Sequence, residues 1–237
     1  MTARFLLLLA TAATATSCGG GLRHDLSTTA DNIGKIRSGA LAFSMLVTPR
    51  TTAAHNPFGF KVAGPFTFGD VPTARVAYTQ IANGHSATAT LVLDKSGGYA
   101  ESNGKRRSLS ATELKQLRAA AASARSGSTF DVGSWVKNAR DCGTRCATGD
   151  LDVAAAANTL LGLAGGKQTL SDDEAKQLAN ATRSATYRLT WTPAHLVREL
   201  TLHVDLGFAA PPKLQAALGK LVGARFDLHL GLQHPQT

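Results

Sequence analysis

The sequence has little that could cross a membrane. After the apolar stretch from Phe5 to Ala15, no segment approaches the roughly 20 residues that a spanning helix needs, and that first stretch is itself too short. Acidic residues are also under-represented, with 16 Asp and Glu against 25 Lys and Arg, which leaves a formal charge of +9. Such a balance favours anionic partners: lipid head groups, cell-wall polymers or nucleic acid. Nucleic acid fits least. The basic residues are scattered, and the one tight cluster, Lys105-Arg106-Arg107, follows an Asn103-Gly104 turn and reads as a solvated hairpin tip. No basic helix or aromatic-interleaved stripe is present.

Catalytic signatures are missing as well. There is no G-x-S-x-G elbow, no H-E-x-x-H pair and no Walker loop, and the Gly-Gly pairs lack a phosphate-loop pattern. The seven histidines do not group. His203-Val204-Asp205 and Asp227-Leu228-His229 each put a His and an Asp two apart on the outer side of a strand, which suits a metal or a general base only with a third ligand from elsewhere. Asp172, Asp173 and Glu174 are explained by a helix N-terminus, which favours negative charge. The sequence thus supports no enzyme, cofactor or metal site.

Cysteine is scarce, and three is an odd number. Cys18 follows Arg4, the short apolar run and a series of small residues, the arrangement of a secretory leader. Ala15-Thr16-Ser17-Cys18 resembles a bacterial lipobox, in which the cysteine is acylated, becomes the first residue and anchors an exported and otherwise soluble chain. The plain alternative is a secretory leader cut nearby, which leaves a stray thiol. Gly19-Gly20-Gly21 reads as a flexible tether. Cys142 and Cys146 lie close together in DCGTRCATGD; outside the cytoplasm such a pair normally oxidises, and Gly143 lets the short loop close. The rival reading is half of a metal site.

Periodicity organises the remainder. Leu26, Ile33 and Ile36 predict a helix over 25–37. Alternation then predicts short antiparallel strands through Leu41, Phe43, Met45 and Val47; Phe58, Phe60 and Val62; Phe66 and Phe68; Val76 and Tyr78; and Leu91 and Leu93. Capping-box spacing at Ser110–Glu113 and Ser171–Glu174 opens two helices. Between them the chain reads as irregular through the cysteines, then helical from about Asp152 to Gly165-Gly166. Strands return in HLVRELTLHVDLGF, where Leu196, Leu200, Leu202, Val204 and Leu206 face one way, Val197 faces the other, and Arg198 interrupts the apolar side. A short helix with Leu214, Leu218 and Leu221 precedes a last strand through Phe226, Leu228, Leu230 and Leu232. Strand meanders with helices inserted as a block predict an α+β fold, an antiparallel sheet covered on one face by helices.

The helices are rich in alanine, notably Ala119–Ala122 and Ala154–Ala157. They must either approach the sheet closely, giving a packed core, or leave an apolar gap. A dry gap suits acyl chains, which gain about 0.8 kcal/mol per buried methylene.

The chain resembles the actinobacterial LppX/LprA/LprF/LprG lipoproteins, relatives in shape of the lipoprotein carrier LolA. The resemblance rests on Cys18, IRSGALAFSM, GGYAESNGKRRSLS, FDVGSWVKN leading to TGDLDVAAAANTLL, and LVRELTLHVDLG, with Trp135 and Thr148–Val153 its most specific part. It implies a half-barrel: a curved antiparallel sheet wrapped around helices and enclosing a hydrophobic cavity for lipids or acylated glycolipids. On that reading residues 1–17 are the leader, 18–24 the lipidated cysteine and tether, and 25–237 a single lipid-binding domain on the extracytoplasmic face of a bacterial cell membrane, with an envelope transporter as a further partner. The cavity wall is then Leu41, Phe43, Met45, Phe66, Phe68, Tyr78, Leu91, Leu93, Leu189, Trp191, Leu200, Leu202, Phe226 and Leu228 from strands, with Leu114, Leu117, Leu160 and Leu163 from helices. The rival from another class is a lipid-anchored adaptor without a cavity, which recognises a protein or an anionic cell-wall polymer through its basic surface.

Overall fold

The computed structural model describes residues 19–50, 56–125, 132–163, 169–209, 211–212 and 222–237. The leader, Cys18 and the helix expected at Leu214, Leu218 and Leu221 lie outside these residues.

Eleven strands form one curved, open antiparallel sheet. The first six are β1 (Ser38–Pro49), β2 (Phe58–Thr67), β3 (Thr73–Ala82), β4 (His85–Leu93), β5 (Gly98–Ser102) and β6 (Lys105–Ser108). They form one meander, and β7 (Val136–Asp141), β8 (Cys146–Leu151), β9 (Thr182–Trp191), β10 (Val197–Ala209) and β11 (Val222–Gln236) form the other. The two are joined where β1 pairs with β11, from Ser38 opposite Gln236 to Pro49 opposite Ala224. The free edges are therefore β6 and β7. Edge β6 consists of Lys105, Arg106, Arg107 and Ser108, all exposed, so the basic cluster forms a charged edge strand that discourages pairing with another chain. Two-residue Asn-Gly turns close β3–β4 and β5–β6, with positive φ at Asn83, Gly84, Asn103 and Gly104 as such turns require.

Among the described residues, four α-helices accompany the sheet: α1 (Gly19–Ile33), α2 (Ala111–Arg125), α3 (Val153–Leu163) and α4 (Asp172–Ala181). Helix α1 differs from expectation at both ends. It begins at Gly19, so the glycines expected as a tether are helical, and it stops at Ile33 before Gly34. Leu22, Leu26, Thr29 and Ile33 recur at helical spacing and face the core, which draws the first turn into the helix despite its glycines. Both capping boxes form: the Ser110 and Ser171 hydroxyls accept from the backbone N–H of Glu113 and Glu174, whose carboxylates accept from the backbone N–H of Ser110 and Ser171.

Three strand expectations are corrected. Phe58 to Phe66 is one strand, because Gly64 and Pro65 continue the pairing with β1. The segment read as irregular through the cysteines is the β7–β8 hairpin; it has little apolar alternation of its own and is held by pairing with β9. In β10 a register shift between Val197 and Glu199 expels Arg198 and lets both Leu196 and Val197 be buried.

The sequence TGDLDV makes the turn from strand to helix. Asp152 directly follows β8, and its carboxylate accepts from the backbone N–H of Ala154 and Ala155, capping α3. Burial works against ionising Asp152, but the 2.7 Å pair with Lys137 and those two amides hold its pKa below the ordinary value. Gly149 faces a bulge in β7: an added Cβ would stand 2.6 Å from the Lys137 carbonyl oxygen, 2.7 Å from that of Asn138 and 3.0 Å from the Tyr187 ring. Gly149→Ala is therefore expected to destabilise by about 1 to 3 kcal/mol through steric strain, where a glycine with room for a methyl would gain. Denaturant titration measures it, and an unchanged midpoint would contradict the packing described.

Candidate functional site: the inner face of the sheet

Strand register carries one set of side chains across the whole inner face. Met45 stands opposite Leu228 on one side and Phe60 on the other; Leu228 is opposite Leu202, and Leu202 opposite Tyr187. One row away, Phe43 is opposite Leu230 and Val62, Val62 is opposite Tyr78, and Tyr78 is opposite Ala89. Alternation therefore places nearly every apolar strand residue named in the sequence on the same side.

Coverage of that face is uneven. Over the second meander it is closed: α1 lies against β7 and β10, α4 lies against β9 and β10, and α3 packs on α4 and on the turn that carries Trp135. Leu189, Trp191, Leu200, Leu202 and Leu228 are buried there in one cluster with Trp135, Leu151, Leu26 and Ala156. These five expected wall residues are packed core. Trp135 is fully buried, and its indole Nε1 donates to Thr159 Oγ1 on α3 at 3.0 Å. Phe226 is half-buried and belongs to smaller clusters with Leu206, Val47 and Ala224.

Over the first meander the face is open among the described residues, and no helix makes extended contact with β1–β4. Leu41, Phe43, Met45, Phe60, Val62, Phe66, Val76 and Leu91 are half-buried, while Tyr78 is 41% exposed, one of two exposed large hydrophobic residues. Three aromatic rings step diagonally across this trough. Phe43 lies 5.6 Å from Phe60 between ring centroids, and Phe60 lies 5.9 Å from Tyr78. Leu41, Phe43 and Phe66 also pack against the closed core and so mark the seam between the two halves. Phe68, just beyond β2, leans on Phe66 at 4.9 Å. Phe60 and Val62 were legible as apolar strand residues, but nothing in the local pattern separated them from core; only the uneven placement of helices does.

At the far rim, Leu93 is buried, and α2 approaches through half-buried Leu114 and Leu117. A Cβ on Gly98 would meet Leu109 at 2.9 Å and Leu114 at 3.4 Å, so this glycine lets α2 settle onto β5. Leu160 and Leu163 lie on α3, with side chains outside the described residues.

The outer face is polar. His203 pairs with Asp227 at 2.5 Å and His229 with Glu199 at 3.2 Å, both across strands, while Arg50 meets Asp205 at 2.7 Å. Among the described residues, no group of three or more His, Cys, Asp or Glu is placed to hold a metal ion. Cys142 and Cys146 form a disulfide in the β7–β8 turn. A cleft of about 350 Å³ opens beside that turn, against the first turns of α1 and away from the aromatic trough. No described helix is long and apolar enough to cross a membrane.

Solved structures similar to this one include two from mycobacteria. They are LprF from Mycobacterium bovis, at 13% identity and TM-score 0.47 over 92% of this chain and 95% of that one, and the Mycobacterium tuberculosis lipoprotein LppX, at 13% identity and TM-score 0.42 over 92% and 98%. No protein-family model and no curated protein matches the chain. The trough therefore has to be understood from its own residues.

Glu113 secures the helix at the trough's rim. Its carboxylate receives two hydrogen bonds from Arg107, at 3.0 and 2.8 Å, and one each from the Ser110 amide and hydroxyl. The Arg107 bonds, then those from Ser110, pull its pKa down to about 2 from the ordinary 4.5. A depressed carboxyl pKa contributes stability that is complete above the unfolded value and lost as pH falls through the folded one. The first turn of α2 should accordingly loosen as pH falls from about 4.5 to about 2. Amide hydrogen exchange at Glu113 and Leu114 checks this: Glu113→Gln should show the loosened rate already at neutral pH, and an unchanged rate would contradict the anchoring.

Proposed function

We propose that the protein is a cell-envelope lipoprotein that binds lipid acyl chains in the open half of its inner face and carries them there. The observation that supports this most is the Phe43–Phe60–Tyr78 row, large apolar side chains left half-buried or exposed beside a core that is fully closed. An apolar surface kept open next to a packed one costs folding stability, and a bound acyl chain would recover it at about 0.8 kcal/mol per methylene. The motif resemblance to the LppX/LprG lipoproteins points the same way. Cys18 is the anchor in this reading, and a handover partner in the envelope would take the lipid onward.

Stability and binding should separate by position. Val62→Arg places a charge in the trough at a half-buried site, and it is expected to abolish capture of a fluorescent fatty acid while changing stability by about 1 kcal/mol or less. Leu200→Ala in the closed half should cost about 2 to 5 kcal/mol and leave capture intact in the folded protein. Capture lost equally in both, or absent from the parent, would favour an adaptor that works through its basic surface.

The anchor has its own check. Stable attachment takes two or more acyl chains, so Cys18→Ala should move the protein from the membrane fraction to the aqueous one. Retention on membranes after a salt wash would contradict the assignment.

A further inference from the structure

Helix α1 begins at Gly19, and consecutive Cα atoms are about 3.8 Å apart. An acylated Cys18 would therefore be followed directly by a rigid element, and the first turns of α1 would be held at the bilayer surface. The 350 Å³ cleft lies there. It is lined by Gly21, Leu22 and Asp25 of α1, by Ala139, Asp141, Gly143, Arg145 and Cys146 of the β7–β8 hairpin, and by Trp191 at the end of β9.

The cleft carries both signs of charge. Asp25 is held by His195 at 3.0 Å, and Asp141 accepts the Gly143 amide at 2.7 Å. Arg145 is exposed, and its guanidinium has no partner among the described residues. Its backbone is nevertheless fixed: φ is +55°, its carbonyl accepts the Trp191 amide at 3.1 Å, and the Cys142–Cys146 disulfide closes the turn around it. A cation on a fixed turn and two carboxylates, one on the same hairpin and one on α1, line a single partly apolar cleft, a set complementary to a small zwitterion with a phosphate at one end and a hydrogen-bonding ammonium at the other.

We infer that this cleft binds the phosphoethanolamine head group of a phospholipid in the anchoring leaflet. Arg145 donates to the phosphate oxygens, as guanidinium groups do in paired hydrogen bonds. The primary ammonium donates to Asp25 and Asp141. A choline head group has no N–H to offer them, and a glycerol head group has no cation, so the cleft selects the amine. The orientation toward the bilayer rests on the Cys18 reading given above; the head-group site does not.

The test uses the leaderless Cys18→Ser chain, which retains every described element and has no acyl anchor. Its flotation is measured with vesicles of phosphatidylcholine alone, and with equal additions of phosphatidylethanolamine or phosphatidylglycerol, at physiological salt. Phosphatidylethanolamine should raise the bound fraction above both others. Arg145→Gln and Asp25→Asn should each weaken binding about tenfold, in line with one lost charge-assisted hydrogen bond. Asp141→Asn, at an exposed position, should do the same without disturbing α1. Fluorescent fatty acid capture on the same samples should stay unchanged, which separates failure of this site from failure of the trough. No preference for phosphatidylethanolamine, or binding led by phosphatidylglycerol that fades with salt, would overturn the inference. So would binding of soluble phosphoethanolamine without any binding of the vesicles.

Discussion

The pairing of β1 with β11 is the constraint on which the rest depends. Each strand belongs to a different meander, and almost the whole sequence lies between them, so the pairing must outweigh a large loop-closure cost. It does so over the full length of β1, with Leu41, Phe43, Met45 and Val47 set against Leu232, Leu230, Leu228 and Phe226 on one face. Without it there would be two small sheets, each with a further exposed edge. With it there is one inner face, and among the described residues α1, α3 and α4 cover only its second-meander half.

That uneven coverage resolves the two outcomes which alanine-rich helices allow. Over the second meander, small side chains bring α3 close enough for Ala156 and Ala157 to be buried, and Trp135 and Leu151 fill the space beneath. Over the first meander, among the described helices, α2 reaches the rim through Leu114 beside Gly98. A packed core and an open apolar trough thus occupy the two halves of one sheet, with Phe43 contacting both. The ionic features serve this division from outside it: Arg107 and Glu113 hold the rim helix, while Lys137 and Asp152 hold the hairpin to the start of α3.

Much of the fold was legible in the sequence, because period-two alternation survives in every long strand and both capping boxes are local. The disulfide was legible from spacing and the odd cysteine count. What local pattern could not supply was coverage. Leu200 and Val62 sit in similar alternating strands, yet one is sealed beneath helices and the other is only half-buried. The β7–β8 hairpin was unreadable for a related reason, since its pairing comes from β9 rather than from its own apolar residues. The start of α1 was misjudged because three glycines argue for a loop, whereas Leu22 supplies a core contact one turn before Leu26. That single turn decides whether the cleft beside Trp191 lies close to Cys18 along the chain or floats on a tether.

The central claim is that the open half of the inner face, and not the closed half, receives the acyl chain. Photocrosslinking with a fatty acid that carries a diazirine at mid-chain, followed by peptide mapping, addresses it most directly. The account predicts label on β2 and β3, at Phe60, Val62 or Tyr78, with none on β9. Label concentrated around Leu189 and Tyr187, or no saturable label anywhere, would contradict it.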